Sequence, residues 1–589
     1  MKLLYCSVLV AAALMTIPAV CRSSTQEADL KLEQFFRQYL DEHFQMQPLA
    51  ATELGDHRFD ALLDDVSRTS RERWLAHAKK TLADLPKQVE YSALSRAGQI
   101  DYEIFKHDLE ATIWLTENRR LFEEDPRTYV SYINDSVYLL LTRSTLPKEQ
   151  NIANAIARMG NIGRVVAAAK ENLTHPPKAI LDTAIRQNRG MISFYEKEIF
   201  DLAGETAQRE ALNQAAASVV AILEDYQTFL EGDLMSRATG EWRLGPEKFG
   251  RQLELELDAG VTADQVYADA QSEFDRVSRD LYFVARQLWS KYFPKTPLPP
   301  DDAEGRRATI RKVIDAVSRE HGRAEDLVDN ARSTVDRIKA FIAENDILRL
   351  PDPDRCAVIE MPKFKRGNAA AYLDSAAPLD PLAGSFYAIS PAEWDWDAGR
   401  IESFLQEYNP RMLQILTIHE AYPGHYVQLE YSHRTPSLVR KVLQSGVYIE
   451  GWAVYCEQMM LDQGYGGGDL PLRLMQLKFY LRAVANAIIA HRMHTTDISD
   501  ADVLKFLMED AFQTEAEASA KITRVKQSST QLSTYFVGRM AHYRLRQQIE
   551  REMGDKFNLH DYHEAVISLG SVPVKYLPEL VRARLTQTQ

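Results

Sequence analysis

The sequence predicts a mostly α fold: a large helical body with a small β-sheet beside one motif-bearing helix. Three observations carry this expectation. Apolar residues return at helical spacing through the first 345 positions. Near residue 350 the pattern changes and two short β-like runs occur. Those runs lead into an apolar helical stretch interrupted by Pro-Gly. At 589 residues the chain is too long for one core of ordinary size, so two lobes or one large helical body is expected.

The elements follow in order. Residues 1–21, "MKLLYCSVLVAAALMTIPAVC", join Lys2 to a short apolar run, the pattern of a secretory signal peptide. A membrane span needs ~20 apolar residues with suitable flanks, so a permanent anchor is the weaker reading. Cleavage after Cys21 releases the chain. Cleavage before it leaves Cys21 for lipidation, the one route to membrane attachment in the sequence, although Val20 is bulky for that site. The expected location is therefore secreted or periplasmic, with or without a lipid anchor.

Residues 22–345 read as a helical N-terminal region. Leu32, Phe35, Phe36, Tyr39 and Leu40 follow helical spacing, and similar stretches recur at 91–115, 151–173 and 207–230. Breaks fall at "THPPKA", "RLGPEK" and "YFPKTPLPPDD". No fixed-period repeat is present, which argues against a solenoid. Residues 346–589 form the expected catalytic region, within one continuous domain spanning about 30–585. Its strands are Cys356–Met361 and Ser385–Ile389, both bounded by turn residues. Ser390-Pro391 and Asn409-Pro410 read as cap and first-turn positions of two helices. The second of these carries "HEAYPGH", residues 419–425.

Composition excludes some partners. With 70 basic and 84 acidic residues the net charge is -14, and nucleic acid is disfavoured because phosphate binding needs a basic footprint. Of the four cysteines, Cys6 and Cys21 lie in the leader, and Cys356 and Cys456 form neither a disulfide framework nor a Cys-x-x-Cys pair.

The motif poses a geometric problem. A zinc site needs converging nitrogen, oxygen or sulfur ligands, with one position left for water. On a helix a four-residue step turns a side chain by only about 40°, whereas the six residues from His419 to His425 turn it by about 120°. Pro423 removes that objection. It lacks an N–H and its ring collides with the carbonyl four residues back, while Gly424 permits backbone angles other residues avoid. A break there can swing His425 back toward His419. The third ligand is expected from "YIEGWAVYCEQ", where Glu450 and Glu457 are seven apart and share a helical face. Glu450 is the first choice, because Gly451 permits close approach, and Glu457 then orients a ligand; the reverse assignment stays open. Glu420 is the natural general base. One zinc ion per chain is expected, with other divalent ions as alternatives. His494 is kept as a substrate-contact candidate.

At this point the residues resemble a known family. "HEAYPGH", "EGWAVYCE" and the stretch from Gln531 to Leu577 together are similar to the bacterial family called domain of unknown function 885. The resemblance implies a helical, zincin-like (gluzincin-type) peptidase fold. It matches His419, His425 and Glu450 to metal ligands and Glu420 to the base. Tyr535 matches a family Tyr-x-x-Gly and is expected to serve the oxyanion. Arg524, eleven residues earlier, is placed to hold a peptide carboxylate as a bidentate fork. Members commonly carry an Asp before an "RMHTT"-like stretch where this chain has Ala490-His491, so no role is carried to that position. The functional expectation is a secreted zinc metallopeptidase acting on short peptides. The alternatives are an inactive peptide- or metal-binding protein and a metal-dependent hydrolase of another amide or ester.

Overall fold

Residues spaced three and four apart set the fold. In the first helix, Ser24–Met46, the buried side chains are Leu32, Phe36, Leu40 and Phe44, one stripe with polar residues on the other faces. The same rule recurs along the chain, and the computed structural model is mostly helical, with one small sheet among the described residues. It describes residues 24–361, 371–391 and 396–588. The expected leader, including Cys21, lies outside the described residues.

The apolar residues form two cores. The smaller gathers helices between Tyr129 and Leu234. The larger joins N-terminal residues such as Phe36 and Phe105, middle residues such as Val277 and Val313, and the C-terminal third. The core therefore does not divide at residue 345, where the sequence pattern changes. Local periodicity reports which face of a helix is apolar and not which distant helix will cover it.

Three strands form the sheet: β1 (Cys356–Glu360), β2 (Ala371–Asp374) and β3 (Ser385–Ile389), in the order β1-β3-β2. β1 runs parallel to β3, with Cys356 opposite Ser385, and β2 runs antiparallel, with Leu373 opposite Tyr387. Two of these strands match the expected runs, and Met361 continues the ladder by donating to the Ile389 carbonyl at 2.7 Å. The third, β2, was not expected from the sequence. Four residues are too few to show a period-two pattern, and pairing with β3 supplies the order that propensity does not.

Seven helices surround the site: α1 (Lys178–Ser193), α2 (Pro410–Glu420), α3 (His425–His433), α4 (Gly446–Asp462), α5 (Leu470–Thr495), α6 (Glu515–Ser528) and α7 (Thr534–Met553). Asn409 caps α2 by accepting from the Arg411 and Met412 N–H groups, with Pro410 in the first turn. The helix before it starts at Ala398 under Asp397, not at Ser390-Pro391. Asp397 accepts from the Arg400 N–H, a cap that lies seven residues beyond the expected one. The sheet is fixed to α2 where Tyr387 and Thr417 hydroxyls meet at 3.1 Å.

Candidate metal centre

The Pro-Gly pair ends one helix and starts another. α2 stops at Glu420, residues 421–424 cross over, and α3 opens with His425. Pro423 cannot continue the hydrogen-bond ladder. Gly424 is required by close approach: a methyl group there would collide with the His419 and Ile418 carbonyl oxygens, and its own N–H donates to Ile418 O at 3.0 Å. Its φ is -69°, outside the left-handed region, so it is the close approach that requires glycine here. The buried Trp452 indole of α4 donates to the Pro423 carbonyl at 2.8 Å and holds the crossing in place. The two imidazoles end with ring centroids 4.7 Å apart and planes at 86°.

α4 brings in the carboxylate. Glu450 Oε2 lies 3.4 Å from His425 Nε2 and 3.8 Å from His419 Nε2. One ligand atom from each of the three residues falls within 4.8 Å of the others. Gly451 does permit a close approach, but to α7: a methyl group on Gly451 would overlap the Gly538 backbone. That contact presses α7 onto α4 beside Glu450. The buried Glu450 Oε2 and His425 Nδ1 have no hydrogen-bond partner among the described residues. A buried carboxylate oxygen of that kind is costly unless something binds it. The donor set, two imidazole nitrogens and a carboxylate oxygen, fits a divalent metal.

Protonation states agree with that fit at His419 and Glu450, while at His425 burial pulls the imidazole down and Glu450 and Glu420 outweigh it, holding it above the usual value. Burial, then the neighbouring His425, pushes His419 down to about 3, so its imidazole is neutral and its lone pair free. Burial opposes ionisation of Glu450, yet His425 and His419 hold its carboxyl below the usual range. Glu420 is pushed up to about 7 by burial, against the pull of His425 and with the push of Glu450. One of its oxygens, Oε2, accepts the Leu373 N–H of β2 at 3.0 Å. The unexpected strand thus orients the candidate base. Glu457 meets His419 Nδ1 at 2.7 Å, which leaves Nε2 facing Glu450. Burial raises the Glu457 carboxyl well above the carboxylate range.

A cavity of about 700 Å³ opens beside these residues. Among its lining are His419, Glu420, Glu457, Arg524 and Tyr535. Arg524 donates to the Tyr535 hydroxyl at 3.2 Å and to Gln531 at 2.9 Å. Burial and then Glu450 raise the Tyr535 hydroxyl, against the pull of Arg524. His494 is not brought to the cavity. It is buried elsewhere on α5, with Nε2 on the Val525 carbonyl at 3.1 Å, Nδ1 toward the Leu244 N–H at 3.4 Å, and its ring stacked on Phe249. Apolar packing claimed a residue whose spacing looked available.

The sequence did not single out Phe479, Arg482 and Lys521, which also line the cavity. Phe479 sets its ring edge-on to His419, with centroids 6.0 Å apart. Glu517, Lys521 and Arg524 are spaced four and three apart, so they share one face of α6. That spacing was the available signal.

Comparison with known proteins gives the same shape without a function. No curated protein matches the chain. A candidate lipoprotein of unknown function from Shewanella oneidensis has a similar structure, with a TM-score of 0.79 and 30% identity, covering 94% of this chain and 99% of that one. A candidate lipoprotein from Colwellia psychrerythraea shares the fold at a TM-score of 0.76 and 18% identity, covering 96% and 100%. The model of one family, described as bacterial protein of unknown function, matches residues 48–581. With that match running nearly from end to end, the chain belongs to the bacterial DUF885 family.

Proposed function

We propose that the protein is a zinc-dependent metallopeptidase that hydrolyses short peptides. The observation that carries this reading is the convergence of His419, His425 and Glu450 beside Glu420, with His419 and Glu420 lining a cavity. Two imidazoles with one carboxylate suit zinc, and other divalent ions accept the same donors. When bound, such an ion supplies Lewis acidity, which lowers the pKa of water to about 7 and polarises a carbonyl.

The chain's own residues do the rest. Glu420 takes a proton from the attacking water as its oxygen bonds to the carbonyl carbon. It passes that proton to the amine nitrogen as the C–N bond breaks, so one water is consumed and Glu420 returns to its starting state. The Leu373 N–H keeps the Glu420 carboxylate aimed during both transfers. Tyr535 lines the same cavity and offers a hydroxyl to the developing oxyanion. The cavity volume lies in the range of small-ligand sites, roughly 300–1,000 Å³, which favours short peptides over folded proteins.

The apolar leader and the likeness to two candidate lipoproteins support a location at the cell envelope, with Cys21 as the lipid attachment point. Among the described residues no helix is long and apolar enough to cross a membrane.

Glu420→Gln tests the reading. The variant should retain one zinc per chain by elemental analysis and lose peptide turnover by about 10²-fold or more, read by mass spectrometry on a peptide library. Undiminished cleavage in that variant rejects the mechanism. A wild-type protein that binds library peptides and cleaves none is a binding protein and not a peptidase.

A further inference from the structure

The cavity wall formed by α6 is positively charged beyond what the protein itself neutralises. Arg482, Lys521 and Arg524 line the cavity together with Arg186 of α1; Glu517 is the carboxylate beside them, while the other lining carboxylates, Glu420 on α2 and Glu457 on α4, belong to the metal side. The Glu517 carboxylate is already engaged: Arg482 donates to it at 2.8 Å, and its other oxygen faces the Thr514 N–H at 3.4 Å. Arg524 donates to Gln531 and Tyr535, which are neutral. Arg186 donates to the Thr183 hydroxyl at 2.9 Å. An exposed arginine without an acid is ordinary, and Arg186 and Arg524 are exposed. Lys521 is the unusual member. It is half-buried against the cavity, and no carboxylate among the described residues lies within salt-bridge distance of its ammonium. Burial, then Arg482 and Arg524, depress its pKa to about 7, which Glu517 only partly offsets.

A half-buried cation held among like charges is costly unless an anion joins it. The chain places that cation in the same cavity as the candidate metal centre, which is bordered by carboxylates. The cavity is therefore polarised, with an acidic and imidazole side for the scissile bond and a cationic side for a negative group on the ligand. A short peptide with a free C-terminus carries one such group there.

We propose that Lys521 and Arg524, with Arg186 of α1, bind the free C-terminal carboxylate of the substrate, so that the protein cleaves near the carboxyl end of short peptides and acts as an exopeptidase. This rests on the hydrolase reading above and deepens it. Arg524 can offer a bidentate fork and Lys521 a point charge, and both lie on one face of one helix.

The test compares acetylated tripeptide and pentapeptide pools in three forms: free acid, C-terminal amide, and amide carrying an internal Asp or Glu. With the zinc-loaded full chain, free acids should be preferred by about tenfold or more in kcat/KM, mainly through KM. Lys521→Met and Arg524→Met should each shrink the acid-to-amide ratio, and Lys521→Arg should keep it. Equal cleavage of acids and amides, or a ratio untouched in both Met variants, overturns the proposal. Preference for the internal acid over the terminal one also overturns it, since the subsite then reads a side chain. The same pools are titrated calorimetrically into zinc-loaded Glu420→Gln protein. If the wild type cleaves nothing, the hydrolase reading fails, yet tighter binding of free acids still supports the carboxylate subsite and equal binding sinks it.

Discussion

His419 has two ring nitrogens, and the structure divides them between two carboxyl groups. Nδ1 faces Glu457 at 2.7 Å, and Nε2 faces Glu450 at 3.8 Å. A partner behind a ligand histidine fixes its orientation and basicity, and losing one typically costs about 10–100-fold in metal affinity or activity. Glu457→Gln should therefore weaken zinc retention by that order, measured by competition with a chelator, while near-ultraviolet circular dichroism stays unchanged. Lys521 gives a prediction about pH. Its folded-state pKa is depressed to about 7, so the ammonium is charged below that pH and neutral above it. The charged groups facing it are Arg482 from α5 and Glu517 and Arg524 from α6. KM for free-acid peptides should accordingly rise as pH increases through about 7, and KM for amides should not follow it. Lys521→Arg should remove that rise, because arginine stays charged throughout.

At the scale of elements, the crossing of α4 and α7 sets the geometry of the candidate centre. Gly451 and Gly538 face each other so closely that neither has room for a methyl group, the second because it would strike the Val447 carbonyl. The two helices consequently deliver Glu450 and Tyr535 to neighbouring positions. Gly451→Ala must force them apart, and overpacking of this kind costs about 1–3 kcal/mol. The expected result is a lower melting temperature together with reduced zinc stoichiometry, checked by calorimetry and elemental analysis. A melting temperature and zinc content equal to the wild type would show that the crossing does not hold the site. The same scale explains a gap in the sequence reading. β2 has four residues and no diagnostic pattern, yet its Leu373 N–H orients Glu420. Its order comes from pairing with β3, which no local window contains.

Across the whole molecule, the cavity lies where the two cores meet. α1 carries Thr183 and Arg186 from the smaller core, while α5 and α6 belong to the larger. Gln527 of α6 donates to Thr183 at 2.7 Å and ties the two across that junction. Because the larger core also includes Phe36, Phe105 and Val277, the C-terminal region is not self-contained. A fragment of residues 346–589 should lack a cooperative melting transition in scanning calorimetry, since the apolar surface covered by those helices would face water. A sharp transition from that fragment would mean that the catalytic region folds alone.

The mostly α fold, two of the three strands, the Asn409 cap and the interruption at Pro423 were legible in the sequence, because each depends on residues within a turn or two of one another. The chemistry-bearing residue types were legible for the same reason. Where His425 and Glu450 point, why Gly424 and Gly451 must be glycine, how β2 meets Glu420 and why His494 is buried away from the cavity were decided by tertiary structure. Those outcomes depend on which distant backbone packs against each residue, and local periodicity carries no information about a neighbour contributed by another part of the chain.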